Sequence, residues 1–445
     1  MNRQNTRQII LRLCVAYLCW ITVVIALASP SPVAAQDWKQ FLGERGSATS
    51  ETAKLPTQWD KDTNIKWKTK LPGYGASSPI IVGDRVFLTC YSGYGDGTKG
   101  TIDNLARHLL CFDRIEGGIL WQKTIDNSTV KDEDPYKSFI TEHGYATNTP
   151  VSDGKAIYVF LGKPGLFAYD LDGQPLWQKK IDIVTNKTRW GSASSPILFG
   201  DNLILNAVEE CGKVLAISKT DGEIQWEFDP QTTLAYATPN LVTTATGEVE
   251  LILPIAKRVI GLNPVDGKQK WYATNNFAGE SNPSVIVDKD IVYIYGGFRS
   301  VGSMAIRTGG SGNVTESHVL WNSRDTSYVS TPILKDEHLY WIDEKGIAFC
   351  VKAKSGKLVY KERVPKIRGG RGIKFFGSMI LADNHMFALS RQSGMFVIKT
   401  TPEFELVSHN KIEDDDSEFN STPAISGDQL FIRSNKFLYC IGESS

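Results

Sequence analysis

Residues 194–229 read SSPILFGDNLILNAVEECGKVLAISKTDGEIQWEFD. Alternating apolar runs at PILF, LILNA, VLAIS and IQWEF are divided by GD, ECG and TDG, which are turn-forming groups. That grammar predicts four short strands in a meander. The phrase is not unique. SSPIIVGDRVFLT stands at 77–89 and STPAISGDQLFIRS at 421–434.

A Ser/Thr-Pro or close relative opens a strand at Pro79, Pro150, Pro196, Pro239, Pro283, Pro332 and Pro423, and GSMILADNHMFAL (377–389) fills the remaining slot with Met379 in the proline position. From Pro150 the spacings are 46, 43, 44 and 49, then 91 across the Met379 slot, and the first interval of 71 holds an insertion. A unit of about 45 residues thus occurs eight times. A lone four-stranded sheet cannot bury both faces, so neighbouring units must stack and close into a ring. The fold class is all-β, an eight-bladed β-propeller.

The fourth strand of each unit carries a large aromatic: Trp121, Trp177, Trp226, Trp271 and Trp321, then Tyr360, with Val407 in the seventh. The turn before it repeats as FDRIEGGILW, AYDLDGQPLW, ISKTDGEIQW, LNPVDGKQKW and VKAKSGKLVY. One aromatic at one place per unit fits packing between blades. The eighth unit has three strands, and its fourth is supplied by NIKWKTKL (64–71) with Trp67 in the aromatic slot. The N-terminal strand is therefore expected to complete the C-terminal blade, which removes two sheet edges. Residues 64–445 make the propeller, preceded by an extension over 36–63.

Arg3, Arg7 and Arg12 precede an apolar run from Leu13 to Ala28, and SPSPVAAQ places Val33 and Ala35 at −3 and −1 of a cut after Ala35. Residues 1–35 read as a secretory signal peptide; an uncleaved anchor is the alternative, and export is expected in both cases. Lysine and arginine total 49, as do aspartate and glutamate. Loss of three arginines leaves 46 − 49 = −3. So even a charge balance argues against nucleic acid or an anionic membrane as partner. Five cysteines remain, Cys90, Cys111, Cys211, Cys350 and Cys440, far apart and with no CxxC. They read as buried free thiols.

The turn-plus-tryptophan phrase resembles the tryptophan-docking repeat of eight-bladed quinoprotein dehydrogenases. The whole chain looks more like their non-enzymatic relatives, the pyrroloquinoline-quinone-like propellers, which include the propeller subunit of the outer-membrane protein assembly machinery. It resembles in particular secreted propellers of planctomycete-type bacteria, through DWKQFLGERGSA (37–48), LPTQWDKDTNIKWKTKLPGYGASSPI (55–80), EHGYATNTPVSDG (142–154) and RWGSASSPI (189–197). The likeness covers about residues 37–442. It specifies fold strongly and function poorly.

The segments entering each blade come close to the axis: PGYGA (72–76), EHGYATN (142–148), RWGSAS (189–194), LAYAT (234–238), AGESN (278–282), TSYVS (326–330), KFFGS (374–378) and EFNST (418–422). Tyr74, His143, Tyr145, Trp190, Tyr236, Glu280, Tyr328, Phe376 and Phe419 are the candidates for lining one mouth of the channel. They either bind a ligand there or plug the axis. The resemblance to quinoproteins implies pyrroloquinoline quinone and calcium, held beside a vicinal disulfide with an aspartate base. No Cys-Cys pair exists here, and no calcium ligand or base is carried over. Glu142, Glu209, Glu210, Glu280 and Asn282 offer oxygen ligands without forming a motif.

Other signals are weaker. Glu142 and His143 lack a nucleophile in a GxSxG phrase. IEDDDSE (412–418) reads as a solvated connector, and GGSGNVT (309–315) as a blade hairpin. YSGYGDGTKGTIDNLARH (91–108) and DNSTVKDEDPYKSFITEH (126–143) would form a lid if they share a face. The expectation is an exported monomer, periplasmic or extracellular, that binds a protein partner or a small molecule. No metal site is assigned. A quinone-dependent oxidoreductase is the alternative, and a polysaccharide-acting enzyme a third.

Overall fold

The structure is a computed structural model and describes residues 36–127, 145–181, 191–232, 234–275, 281–297, 301–367 and 372–443. From Asp37 onward these form one compact unit. Eight antiparallel sheets follow the eight repeats, six of four strands and two with a short fifth. Blade one comprises Ile80–Val82, Arg85–Ser92, Ala106–Asp113 and Ile119–Asp126. The innermost strands of blades two to eight are Val151–Ser152, Ile197–Phe199, Asn240–Thr243, Ile286–Asp288, Ile333–Lys335, Ile380–Ala382 and Ala424–Ser426.

Blade eight closes as the repeat predicts. Ile65–Lys70 pairs antiparallel with Phe437–Ile441, bringing Trp67 opposite Cys440. The cores lie between adjacent blades, where residues from neighbouring sheets share one apolar cluster.

The recurrent Ser/Thr before proline has a physical cause. The residue preceding proline is held extended, and here its hydroxyl accepts a backbone N–H from the preceding blade. Ser78 donates to Thr149 Oγ1, Thr149 to Ser195 Oγ, and Ser195 to Thr238 Oγ1, each at 3.0 Å. After blade four the relay resumes: Ser284 donates to Thr331 Oγ1 at 2.9 Å, Thr331 to Ser378 Oγ at 3.0 Å, and Ser378 to Thr422 Oγ1 at 2.8 Å. These bonds satisfy buried donors that no strand pairing reaches.

The aromatic slot docks on the next blade. The indole N–H groups of Trp67, Trp121, Trp177, Trp226 and Trp321 donate to the carbonyls of Arg114, Leu171, Lys219, Pro264 and Ala353. Each ring covers a turn glycine in left-handed conformation; a Cβ on Gly356 (φ 64°) would stand 2.7 Å from Trp321. Tyr360 instead meets Phe404 edge-on. Trp271 departs from the pattern, because its N–H donates to Glu250 Oε2 within its own blade at 2.8 Å. That carboxylate also accepts Gly309 N–H of blade five at 3.2 Å.

Two sequence readings change in detail. Gly312–Asn313, expected in a hairpin, pairs parallel with Trp271 and Tyr272 as a fifth strand of blade four. Residues 37–60, read only as an extension, are strapped across the ring. Trp38 bridges Ile81 in blade one, Ser152 N donates to the Lys39 carbonyl in blade two, and Thr49–Ser50 pairs parallel with Leu381–Ala382 in blade seven. The Trp59 ring then stacks on Phe387, and the Trp59 backbone N–H donates to Asn410 Oδ1 at 3.1 Å.

Candidate functional site

Residues immediately before the inner strands of all eight blades converge on one axial cavity of about 160 Å³. Its wall is small and neutral, with Ser78, Thr147, Ser195, Thr238, Thr331 and Thr422 contributing hydroxyls or methyls. The repeat explains this. Short side chains recur in the position just before each inner strand, where eight strands approach one axis, and most of these hydroxyls already accept within the inter-blade relay.

Of the nine aromatic and polar mouth candidates, Tyr236, Tyr328 and Phe376 line the cavity. Tyr74 pairs its backbone with Tyr91, and Tyr145 packs edge-on against Tyr91 with ring centroids 5.5 Å apart. Phe419 is buried against Tyr439. These three belong to packing outside the cavity wall. His143, Trp190 and Glu280 lie outside the described residues, as do Glu142 and most of the 126–143 connector. The insertion over 91–108 folds back as a longer hairpin, and Tyr94 and Ile102 pack on the Tyr91–Tyr145 cluster.

Phe41, from the strap, also lines the cavity. Sequence reading passed over it, since DWKQFLGERGSA shows no period-2 pattern. Asp37 accepts the Gly83 N–H, and Lys54 N donates to Asp428, both in the turns that follow inner strands. The strap therefore crosses the turn-bearing face and sets Phe41 at that end of the axis.

Glu209 and Glu210 are buried in a short helix, Val208–Cys211, that links two strands of blade three. Burial pushes the Glu210 carboxyl up to about 7, against a hydrogen bond from Ser192. Among the described residues no three of His, Cys, Asp and Glu converge as a metal site would need. The acidic run 412–418 is engaged instead: Asp414 pairs with Lys68, Asp416 with Lys436, and Asp415 accepts the Tyr439 hydroxyl at 2.8 Å. The five cysteines among the described residues are free thiols. Burial raises Cys90, Cys111 and Cys440 to about 12, far from the thiolate a nucleophile needs.

Against this geometry, the sequence profile of the family described as outer membrane protein assembly factor BamB matches residues 105–362, more than half of the chain. The chain belongs to the BamB family.

Among solved structures it is similar to BamB from Moraxella catarrhalis, at 10% identity and TM-score 0.54, covering 85% of this chain and 99% of that one. The computationally designed Ika8 protein is similar at 10% identity and TM-score 0.55, covering 84% and 98%. The C-terminal WD40 domain of Sif2 matches at 12% identity and TM-score 0.54, covering 87% and 100%. At these identities the likeness shows the propeller fold alone. Among curated proteins none matches.

The family's name for its repeat invites a test of the quinone. Pyrroloquinoline quinone is a rigid tricyclic tricarboxylate, and the cavity wall described here carries no lysine or arginine to receive it. Its 160 Å³ also falls below the roughly 300–1,000 Å³ of small-molecule pockets. The described residues of this wall do not fit the cofactor. Among the described residues no helix is long and apolar enough to cross a membrane.

Proposed function

We propose that this BamB-family propeller is an exported binding or scaffold module whose partner is a protein. The observation that carries the reading is the neutral axial wall, several of whose hydroxyls already accept within the inter-blade relay and which Phe41 of the strap helps to line. Such an axis supports architecture rather than chemistry, and leaves the outer faces to do the binding. The leader over 1–35 supports export to the periplasm or beyond, with Gln36 as the expected mature N-terminus.

The test has two arms. Chemical cross-linking of the tagged chain in its native envelope, followed by purification, should yield a stoichiometric protein partner. Calorimetric titration with pyrroloquinoline quinone, with and without calcium, should give no saturable heat. One-to-one heat that weakens in Tyr328→Ala would overturn the proposal in favour of the oxidoreductase.

A further inference from the structure

The strap divides the turn-bearing face into two sets of four blades. Where it lies, the inner strands are fully buried: Ile80–Val82, Val151–Ser152, Ile380–Ala382 and Ala424–Ser426. In blades three to six, Leu198, Leu241, Val287 and Leu334 stay half-buried on the corresponding strands. Those same four residues line one continuous groove of about 850 Å³, whose other wall is the strap itself from Gln40 to Glu51.

Each of these four strands is the edge of its sheet. A strand edge carries a row of backbone donors and acceptors that pairs readily with extended chain. On blades one, two and seven the strap already does this, through Trp38–Ile81, Ser152–Lys39 and Leu381–Ala48. The protein's own residues thus show what the edge accepts, and in what geometry.

Resting on the binding-module reading, we propose that this groove takes an extended segment of a partner protein by strand addition onto blades three to six. Main-chain bonds to these edge strands hold the segment, chiefly on blades three, five and six because Asn240 Oδ1 already accepts the Leu241 N–H of blade four, and alternate side chains seat against Leu198, Leu241, Val287 and Leu334. Charge is a minor contributor: Glu44, Glu51, Asp288 and Asp290 stand against Arg45 and Lys289 along the groove, and Asp290 is already paired with Arg307 at 3.4 Å. An apolar segment with period-2 patterning is the fitting occupant, not a polybasic one.

Random 12-residue peptides are displayed and selected on the full exported chain, and the enriched sequences are synthesised for fluorescence anisotropy. The expected consensus alternates apolar and polar positions. Leu198→Glu with Leu334→Glu should weaken binding at least ~10-fold, as should N-methylation of alternate peptide amides, because both remove strand-addition contacts. Val287→Lys is the second variant should the double one unfold, and Tyr328→Ala at the axis should change nothing.

No enrichment over empty support overturns the inference, as does binding indifferent to the groove variants. So does a groove filled by a second copy, seen as self-association abolished by Leu334→Glu. A cross-linked partner retained by the groove variants would sink this inference alone and leave the binding-module reading in place.

Discussion

Arg433 Nη1 donates to the Thr89 carbonyl at 2.7 Å, joining the eighth blade to the first across the seam where the ring closes. The side chain is fully buried, its Nη2 meets no partner among the described residues, and burial lowers its pKa to about 10. Carbonyls, not a carboxylate, hold this cation. We expect Arg433→Ala to cost about 3 kcal/mol through the lost bond and the cavity left behind. Arg433→Met should cost less than half of that, because it fills the space without a buried charge. Urea denaturation of both variants measures the difference; equal losses would show that the bond, not the volume, matters.

The docking of Trp321 on Gly356 predicts a paired result. Gly356→Ala meets both a left-handed backbone and a ring 2.7 Å from the new Cβ, and should cost ~2 kcal/mol. Combined with Trp321→Ala, itself ~4 kcal/mol, the penalties should fall short of their sum. Strict additivity in denaturation midpoints would refute the contact.

Thr331→Val keeps the shape and deletes the hydroxyl that accepts Ser284 N–H. A buried donor left unpaired costs roughly 1–3 kcal/mol, so the variant should lose that much with an unchanged circular dichroism spectrum. Hydrogen exchange at Ser284 should accelerate. Protection equal to wild type would mean the relay is incidental.

Glu250 is wholly buried, paired with Lys270 Nζ at 3.0 Å, and accepts from Trp271 and Gly309. Glu250→Ala strands both donors and should destabilise by about 3 kcal/mol. Glu250→Gln retains an acceptor and should lose about half of that. A larger loss for Gln than for Ala would contradict this account.

Glu210 provides a pH dependence. Its folded pKa is raised to about 7 from an ordinary 4.5, so its contribution is present below pH 4.5 and is lost as pH rises through 7. Glu210→Gln should therefore be the more stable chain at pH 8, by up to ~3 kcal/mol, and equal to wild type near pH 4. Chemical denaturation at the two values decides it, and a pH-independent difference would exclude titration as the cause.

Much of this fold was legible because its stabilising contacts repeat. The hydroxyl before proline, the turn glycine and the tryptophan each recur at one spacing, so even Met379 and Trp67 found their slots. What escaped reading is what occurs once. Trp271 keeps the motif, but Glu250, twenty-one residues earlier, redirects its hydrogen bond. Phe41 sits in a segment without alternation, and the cavity it lines draws its other residues from every blade. Tyr145 and Phe419 share the connector style of Tyr236 and Tyr328, yet local packing turned them away from the axis. A period predicts which residues share a position, not which way a side chain resolves its own surroundings.

The pairing of Ile65–Lys70 with Phe437–Ile441 also orders events in time. A chain delivered N-terminus first presents its closing strand at the outset and must hold it unpaired until nearly everything else has arrived. The strap faces the same delay, since Thr49–Ser50 rests on blade seven. Circularity thus makes completeness a condition of closure: a chain halted before residue 437 leaves Ile65–Lys70 and the last completed strand of blade eight with raw edges that only the final strand covers.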